Sequence, residues 1–145
     1  MTLKISYCRY RLLFKHPFGT AHGLRTGTDS VFIKVEENGC IGYGEATLPP
    51  YLEETVDSVI QRLIALIGNA PTDAVGLLSK LEEHPELLSE GPAARAALHT
   101  ALVDLKSKAI NSSVRQLDMV NTLKSPTTLM TVGSGDLKDI PIKLK

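Results

Sequence analysis

Hydrophobic and polar residues alternate along the first part of the chain, which is the pattern of half-buried β-strands. Residues 3–13 show this alternation first, and residues 31–36 repeat it. Asn38 and Gly39 follow, and this pair favours a type I′ hairpin turn, because that turn needs positive φ at both central residues. Residues 40–46 then alternate again as the return strand. The pattern predicts three antiparallel strands.

Two segments rich in glycine or proline interrupt the alternation. Residues 17–28 contain three glycines and a proline, so we predict a mobile loop there. Pro49 and Pro50 end the third strand, because proline cannot donate a hydrogen bond to a β-ladder. Residues 49–52 therefore predict a second loop.

Helical periodicity replaces the alternation in the middle of the chain. Apolar residues recur at helical spacing over residues 56–67, more weakly over residues 73–81, and most strongly over residues 92–109. Much of the apolar stripe of the third helix is alanine, which implies close packing against a neighbouring element. Strands followed by helices predict a domain of the α+β class.

Composition excludes several classes of protein. The 145 residues are 43% hydrophobic and 22% charged, and 16 basic residues balance 16 acidic ones, so no basic face for a nucleic acid is expected. No stretch approaches the roughly 20 apolar residues that a membrane helix needs, and the N-terminus lacks the apolar run of a signal peptide. We therefore expect a cytoplasmic protein with no membrane or nucleic-acid partner. Cys8 and Cys40 fall in predicted strands. A disulfide between them is the alternative, but two reduced thiols are favoured in a cytosolic protein.

Five segments occur in an order typical of one enzyme family: HPFGTAHGLRT, GCIGYGEATLPPYLEETVDSV, PAARAALHTALVDLKSKA, TTLMTVG and IKLK. Together they resemble the N-terminal half of muconate-lactonising-type members of the enolase superfamily, and above all the L-Ala-D/L-Glu dipeptide epimerases. The resemblance implies an α+β capping domain over residues 1–120. It also implies the first strands of a modified (β/α)₈ barrel over residues 121–145, a barrel that is incomplete in this chain.

The implied reaction is Mg²⁺-dependent removal of the proton next to a carboxylate, through an enediolate, on a dipeptide substrate. By resemblance, Lys145 is the catalytic base and Lys143 is its electrostatic partner. A spacing of two residues puts both lysines on one face of a strand, and a neighbouring cation lowers the pKa of a lysine. Two solvated lysines are the alternative. The family's metal ligands would follow Lys145, and residues 1–145 contain no substitute metal site.

Three further residues are expected to bind substrate by the same resemblance. Thr131 lies where the first barrel strand meets the site, Arg25 lies on the first capping loop, and Tyr51 lies on the second. An arginine on the first loop grips a substrate carboxylate in the relatives that accept glutamate, but Gly23 is the alternative occupant of the matching position. Strand propensity explains Thr131, and packing within the cap explains Tyr51, equally well. A homo-oligomer is compatible with the resemblance.

Three residues of the third strand receive structural interpretations. Gly42 and Gly44 indicate either a bulge or the close approach of another backbone, since glycines inside strands often mark one or the other. Glu45 resembles a family position, and we interpret it as a structural hydrogen-bonding residue.

Departures from the family pattern leave other functions open. Residues 133–139 are too few for the crossover between two parallel strands, which takes a dozen residues or more. Either a segment is missing between the two strands, or the strands cannot pair as the family's do. Because the family's metal ligands and its second catalytic lysine would come after Lys145, we expect this chain alone to be inactive. The alternative functions are another muconate-lactonising-type reaction, such as that of a cycloisomerase or an o-succinylbenzoate synthase, or a non-catalytic capping-domain remnant.

Overall fold

The computed structural model describes residues 2–20, 23–68, 73–87, 89 and 91–114. Within these residues, three strands precede three helices: β1 (Lys4–Thr20), β2 (Gly23–Glu37), β3 (Cys40–Leu48), α1 (Val56–Ile67), α2 (Ala74–Glu83) and α3 (Pro92–Ala109). The strands form one antiparallel sheet in the order β1-β2-β3. The predicted α+β capping architecture is confirmed, and the strands predicted within residues 121–145 lie outside the described residues.

The β2–β3 connection is the predicted tight hairpin. Asn38 has φ 51° and Gly39 has φ 80°, which are the positive values that a type I′ turn requires. The ladder runs on from this turn with Glu37 opposite Cys40 and reaches Asp29 opposite Leu48. The sequence prediction is therefore confirmed at this turn.

The loop predicted at residues 17–28 is wrong for the described residues 17–20 and 23–28, because these belong to β1 and β2. Pairing runs from Lys4 opposite Glu36 to Leu13 opposite Gly27, and it resumes with Phe18 opposite Arg25. Between these two registers, the four residues 14–17 of β1 lie opposite a single residue of β2, which makes a large β-bulge. Pro17 lies inside the bulge, where no ladder hydrogen bond is required of it.

Side-chain caps define where the first two helices begin. Thr55 accepts a hydrogen bond from the Ser58 N–H, and the Ser58 hydroxyl accepts one from the Thr55 N–H, which together form a capping box. Asp73 caps α2 by accepting from the Gly76 N–H at 2.8 Å. Helix α2 ends at Glu83, two residues beyond the predicted end at residue 81.

Helix α3 packs directly on β3 at the two strand glycines. A Cβ atom built on Gly44 would overlap the carbonyl oxygen of Ala97, and one built on Gly42 would lie 2.9 Å from Cβ of Leu105. Ala97 and Ala101 are fully buried in this contact. The close packing predicted from the alanine stripe is confirmed, and of the two interpretations of the strand glycines, a bulge or close backbone approach, the structure shows close approach.

The free edge of β3 is closed by two side chains of α3. Asp104 accepts a hydrogen bond from the Tyr43 N–H at 2.9 Å, and the Lys108 ammonium donates to the Ile41 carbonyl at 3.1 Å and to Asp104 at 2.7 Å. Partial burial raises the pKa of the Asp104 carboxyl, but the hydrogen bonds from Lys108 and from the Tyr43 N–H outweigh burial and hold this pKa below its ordinary value. These contacts use backbone groups that would otherwise be open to another strand.

Cys8 on β1 and Cys40 on β3 are both free thiols, as the sequence predicted. Of the helices described, none has the length and apolar character to span a bilayer.

Candidate functional site

A pocket of about 610 Å³ opens where the β1–β2 hairpin, the end of β3 and the start of α3 meet. This volume lies within the range of small-molecule sites, which is about 300–1,000 Å³. Apolar side chains form most of its wall, with Arg25 and Glu45 as the ionisable groups of opposite charge. The lining residues are Phe14, Arg25, Thr28, Glu45, Thr47, Pro49, Tyr51, Leu52, Pro92, Ala93 and Ala96.

Arg25 enters this pocket from β2 and is held against an aromatic ring. Its guanidinium carbon lies 5.5 Å from the centroid of the Phe14 ring, a distance that allows a cation–π interaction. Phe14 is the first residue of the bulge in β1, so the register shift of the hairpin brings the ring to Arg25. The ring limits the arginine's freedom while its N–H donors stay available to an anion.

Tyr51 and Leu52 form a second wall of the same pocket. They lie in a turn closed by a hydrogen bond from the Leu52 N–H to the Pro49 carbonyl at 3.0 Å. Tyr51 is 82% exposed, so little of its ring is used in packing the described part of the domain. The structure thus brings Arg25 and Tyr51, predicted on two separate loops, to one pocket.

Glu54 connects the segment that forms this second wall to helix α3 through hydrogen bonds. Its side chain is only 6% exposed and lies 3.6 Å from the Arg62 guanidinium. Its two carboxylate oxygens accept hydrogen bonds from the N–H groups of Ala93 at 2.7 Å and Ala94 at 3.4 Å. A carboxylate at this position caps the helix N-terminus and complements its dipole. Since Ala93 itself lines the pocket, Glu54 holds two walls of the pocket together.

Glu45 faces the pocket from the end of β3. Its Oε1 atom accepts hydrogen bonds from the Ser30 hydroxyl at 2.8 Å and from the Thr47 hydroxyl at 3.0 Å. The hydrogen-bonding role expected for Glu45 is present, but its place in the pocket was not predicted. The signal was available, because Glu45 and Thr47 share one strand face, directed away from the side on which Gly44 and Ala46 are buried.

The remaining predicted site residues, Thr131, Lys143 and Lys145, lie outside the described residues. Within the described ranges, no three His, Cys, Asp or Glu side chains come close enough together to hold a metal ion. Among the predicted site residues, the described part of the chain therefore places Arg25 and Tyr51 in one pocket.

The sequence of this chain is similar to that of a known protein family. Residues 5–117 match the model of the family described as mandelate racemase / muconate lactonizing enzyme, N-terminal domain. An L-Ala-D/L-Glu epimerase of Bacteroides thetaiotaomicron is 35% identical over 131 residues, which cover 90% of this chain and 34% of that protein. A chloromuconate cycloisomerase of Cupriavidus pinatubonensis is 29% identical over 117 residues, which cover 74% of this chain and 30% of that protein.

A solved structure agrees with the fold. The dipeptide epimerase from Methylococcus capsulatus, complexed with Mg and the dipeptide L-Arg-D-Lys, aligns over 99% of this chain and 42% of its own with a TM-score of 0.78. At 22% sequence identity, this likeness bears on the fold alone. The chain spans about a third of the length of the curated relatives it matches.

Proposed function

Because the chain belongs to the mandelate racemase/muconate lactonizing enzyme family and carries the family's N-terminal domain, we propose that it is the substrate-capping part of a Mg²⁺-dependent dipeptide epimerase. In this proposal residues 1–120 form the cap and residues 121–145 begin the barrel. One observation carries the assignment of the site: Arg25 and Tyr51, from separate segments, line one pocket of small-molecule size. The similarity to an L-Ala-D/L-Glu epimerase supports the choice of a dipeptide.

The proposed chemistry begins with the substrate's second residue in this pocket. The Arg25 guanidinium carries several N–H donors in a fixed fork, which match the two oxygens of a carboxylate. Tyr51 and Leu52 cover the bound side chain and exclude water. In a site closed to water, the arginine–carboxylate contact is stronger than it is in solution.

The proton transfer is assigned to residues outside the described part of the chain. Lys145 removes the α-proton from one face of the substrate, and the charge of Lys143 keeps enough of that base neutral near pH 7. Thr131 donates a hydrogen bond to the substrate from the first barrel strand. The described residues provide no group of acidic side chains fit for magnesium, so its ligands would come from other parts of the enzyme.

Deuterium exchange tests this proposal directly. The full-length gene product containing this chain is incubated with L-Ala-L-Glu and Mg²⁺ in D₂O, and the α-proton signal of the second residue is followed by NMR. We expect exchange and epimerisation with the full-length protein and neither with residues 1–145 alone. Lys145→Met abolishes exchange on one face in this scheme, whereas the matched variant Lys138→Met retains it. Absence of exchange for every L-Ala-L-Xaa dipeptide offered to the full-length protein rules the proposal out.

A second muconate-lactonising-type reaction is the runner-up. The chloromuconate cycloisomerase is 29% identical over 74% of this chain, against 35% over 90% for the epimerase. Cycloisomerisation and o-succinylbenzoate synthesis involve no dipeptide, so turnover of their substrates without dipeptide exchange would favour this alternative. A gene that ends near Lys145 would instead favour a non-catalytic capping-domain remnant.

A further inference from the structure

Glu45 is held in place by hydroxyl groups on one of its two oxygens. The Ser30 side chain is fully buried and donates to Oε1 at 2.8 Å, and Thr47 donates to the same atom at 3.0 Å. Within the described ranges, no protein group donates to the other oxygen, Oε2. The hydrogen bonds to Oε1 fix the orientation of the carboxylate, so Oε2 is a preorganised acceptor for a ligand.

Glu45 and Arg25 carry opposite charges, and both side chains line the same pocket. No salt bridge joins the two side chains among the described residues, since Arg25 stacks on Phe14 and Glu45 binds hydroxyls. Their charges are thus both available to a ligand, and the formal charge of the lining sums to zero. A purely anionic side chain in this pocket gains attraction from Arg25 and meets repulsion from Glu45.

We infer that Glu45 is a specificity-determining residue and that the pocket prefers a substrate side chain carrying both a hydrogen-bond acceptor and a donor. A primary amide fits this description: its carbonyl oxygen accepts from Arg25, and its NH₂ group donates to Oε2 of Glu45. The preferred substrates are L-Ala-L-Xaa dipeptides with a glutamine-like second residue. This inference rests on the proposed function only for the use of the pocket by the dipeptide's second residue.

The isosteric pair L-Ala-L-Gln and L-Ala-L-Glu tests the inference, because the two differ in charge and donors while sharing one shape. Calorimetry on the full-length protein gives both dissociation constants, and their ratio removes effects common to the two ligands. We expect wild type to bind the glutamine dipeptide more tightly. Glu45→Gln, which removes the charge, should shift the ratio about tenfold toward the glutamate dipeptide. Thr47→Val should shift the ratio in the same direction by less.

Two comparisons separate specificity from a structural role. Glu53→Gln changes an exposed carboxylate that does not line the pocket and should leave the ratio unchanged. If Glu45 only satisfies the buried Ser30 hydroxyl, Glu45→Gln will alter the melting temperature and leave the ratio as it was, and the inference falls. It also falls if neither dipeptide binds.

Deuterium exchange measured on the same samples keeps the two ideas apart. A ratio that shifts without exchange of either dipeptide would refute the epimerase proposal and uphold the role of Glu45. Exchange with an unshifted ratio would do the reverse.

Discussion

Replacing Gly44 with alanine tests the packing that places the pocket wall on the sheet. The strand glycine lies under α3, and a Cβ atom there would overlap the Ala97 carbonyl oxygen and lie 2.9 Å from the carbonyl carbon. Both atoms are backbone, so no rotamer change removes the overlap. The helix must move away from β3, or the strand must move away from the helix.

The expected cost follows from overpacking. Extra methyl groups forced into packed interiors cost about 1–3 kcal/mol, and more when backbone has to shift. Because the contact here is with main-chain atoms, we expect Gly44→Ala to lower the free energy of unfolding by about 3 kcal/mol. With a denaturant slope of about 2 kcal/mol/M, the urea midpoint should fall by about 1.5 M.

Urea titration followed by circular dichroism measures this shift, and two variants sharpen it. Gly68→Ala places a methyl group at φ −60° with 3.4 Å to the Ile64 carbonyl oxygen, so it should be neutral or stabilise by less than about 1 kcal/mol. The double variant G44A/A97G should show no rescue, because the clash involves the Ala97 carbonyl and not its methyl group. A midpoint within about 0.5 M of wild type for Gly44→Ala would show that the helix does not lie this close.

Three further predictions concern charged groups. Glu54→Gln should destabilise the domain by about 1–3 kcal/mol in urea titration, because a buried charge-assisted cap is lost, and the exposed neighbour change Glu53→Gln should cost under about 0.5 kcal/mol. Asp104 has a depressed pKa in the folded state, so its stabilising contribution is present above the ordinary carboxyl pKa and is lost as the pH falls through the folded value. The free energy of unfolding of wild type should exceed that of Asp104→Asn at pH 7, and this difference should shrink below about pH 4. A difference that grows on acidification contradicts this prediction. Arg25→Met should raise the KM for L-Ala-L-Glu at least about tenfold with a smaller effect on kcat, while Lys15→Met, which changes a cation outside the pocket lining, should leave both constants near wild type.

Local signals predicted most of the fold. The three described helices follow from apolar spacing, and the Asn38-Gly39 turn follows from the φ requirement of a single turn type; both signals act within a few residues. The pairing of β1 with β2 beyond residue 17 was missed for the opposite reason. Glycine and proline permit a loop there, but the bulge lets the strands resume pairing, and its register depends on contacts between residues distant in sequence.

Only some of the pocket residues could be predicted from the sequence, for a related reason. Arg25 and Tyr51 were found through their segments, since both segments resemble capping loops. Phe14 and Glu45 come from strands that read as ordinary half-buried sheet, and their roles depend on which elements meet at the end of the sheet. Nothing local to either residue indicates that α3 begins beside them.

Strand pairing between β1 and β2 determines the position of Arg25 in the pocket. An arginine on a mobile loop would find its ligand by moving, whereas Arg25 is placed by strand pairing, opposite Phe18 and two residues before Gly27. Because successive strand side chains point to opposite faces, a slip of one residue would turn Arg25 away from the pocket. The bulge sets this register by absorbing the extra residues of β1. The same bulge supplies the ring of Phe14 that the guanidinium stacks on, so the position and the stacking of Arg25 have one structural cause. Under the proposed function, substrate preference should therefore be more sensitive to insertions and deletions at residues 14–17 than to substitutions at residues 20–23.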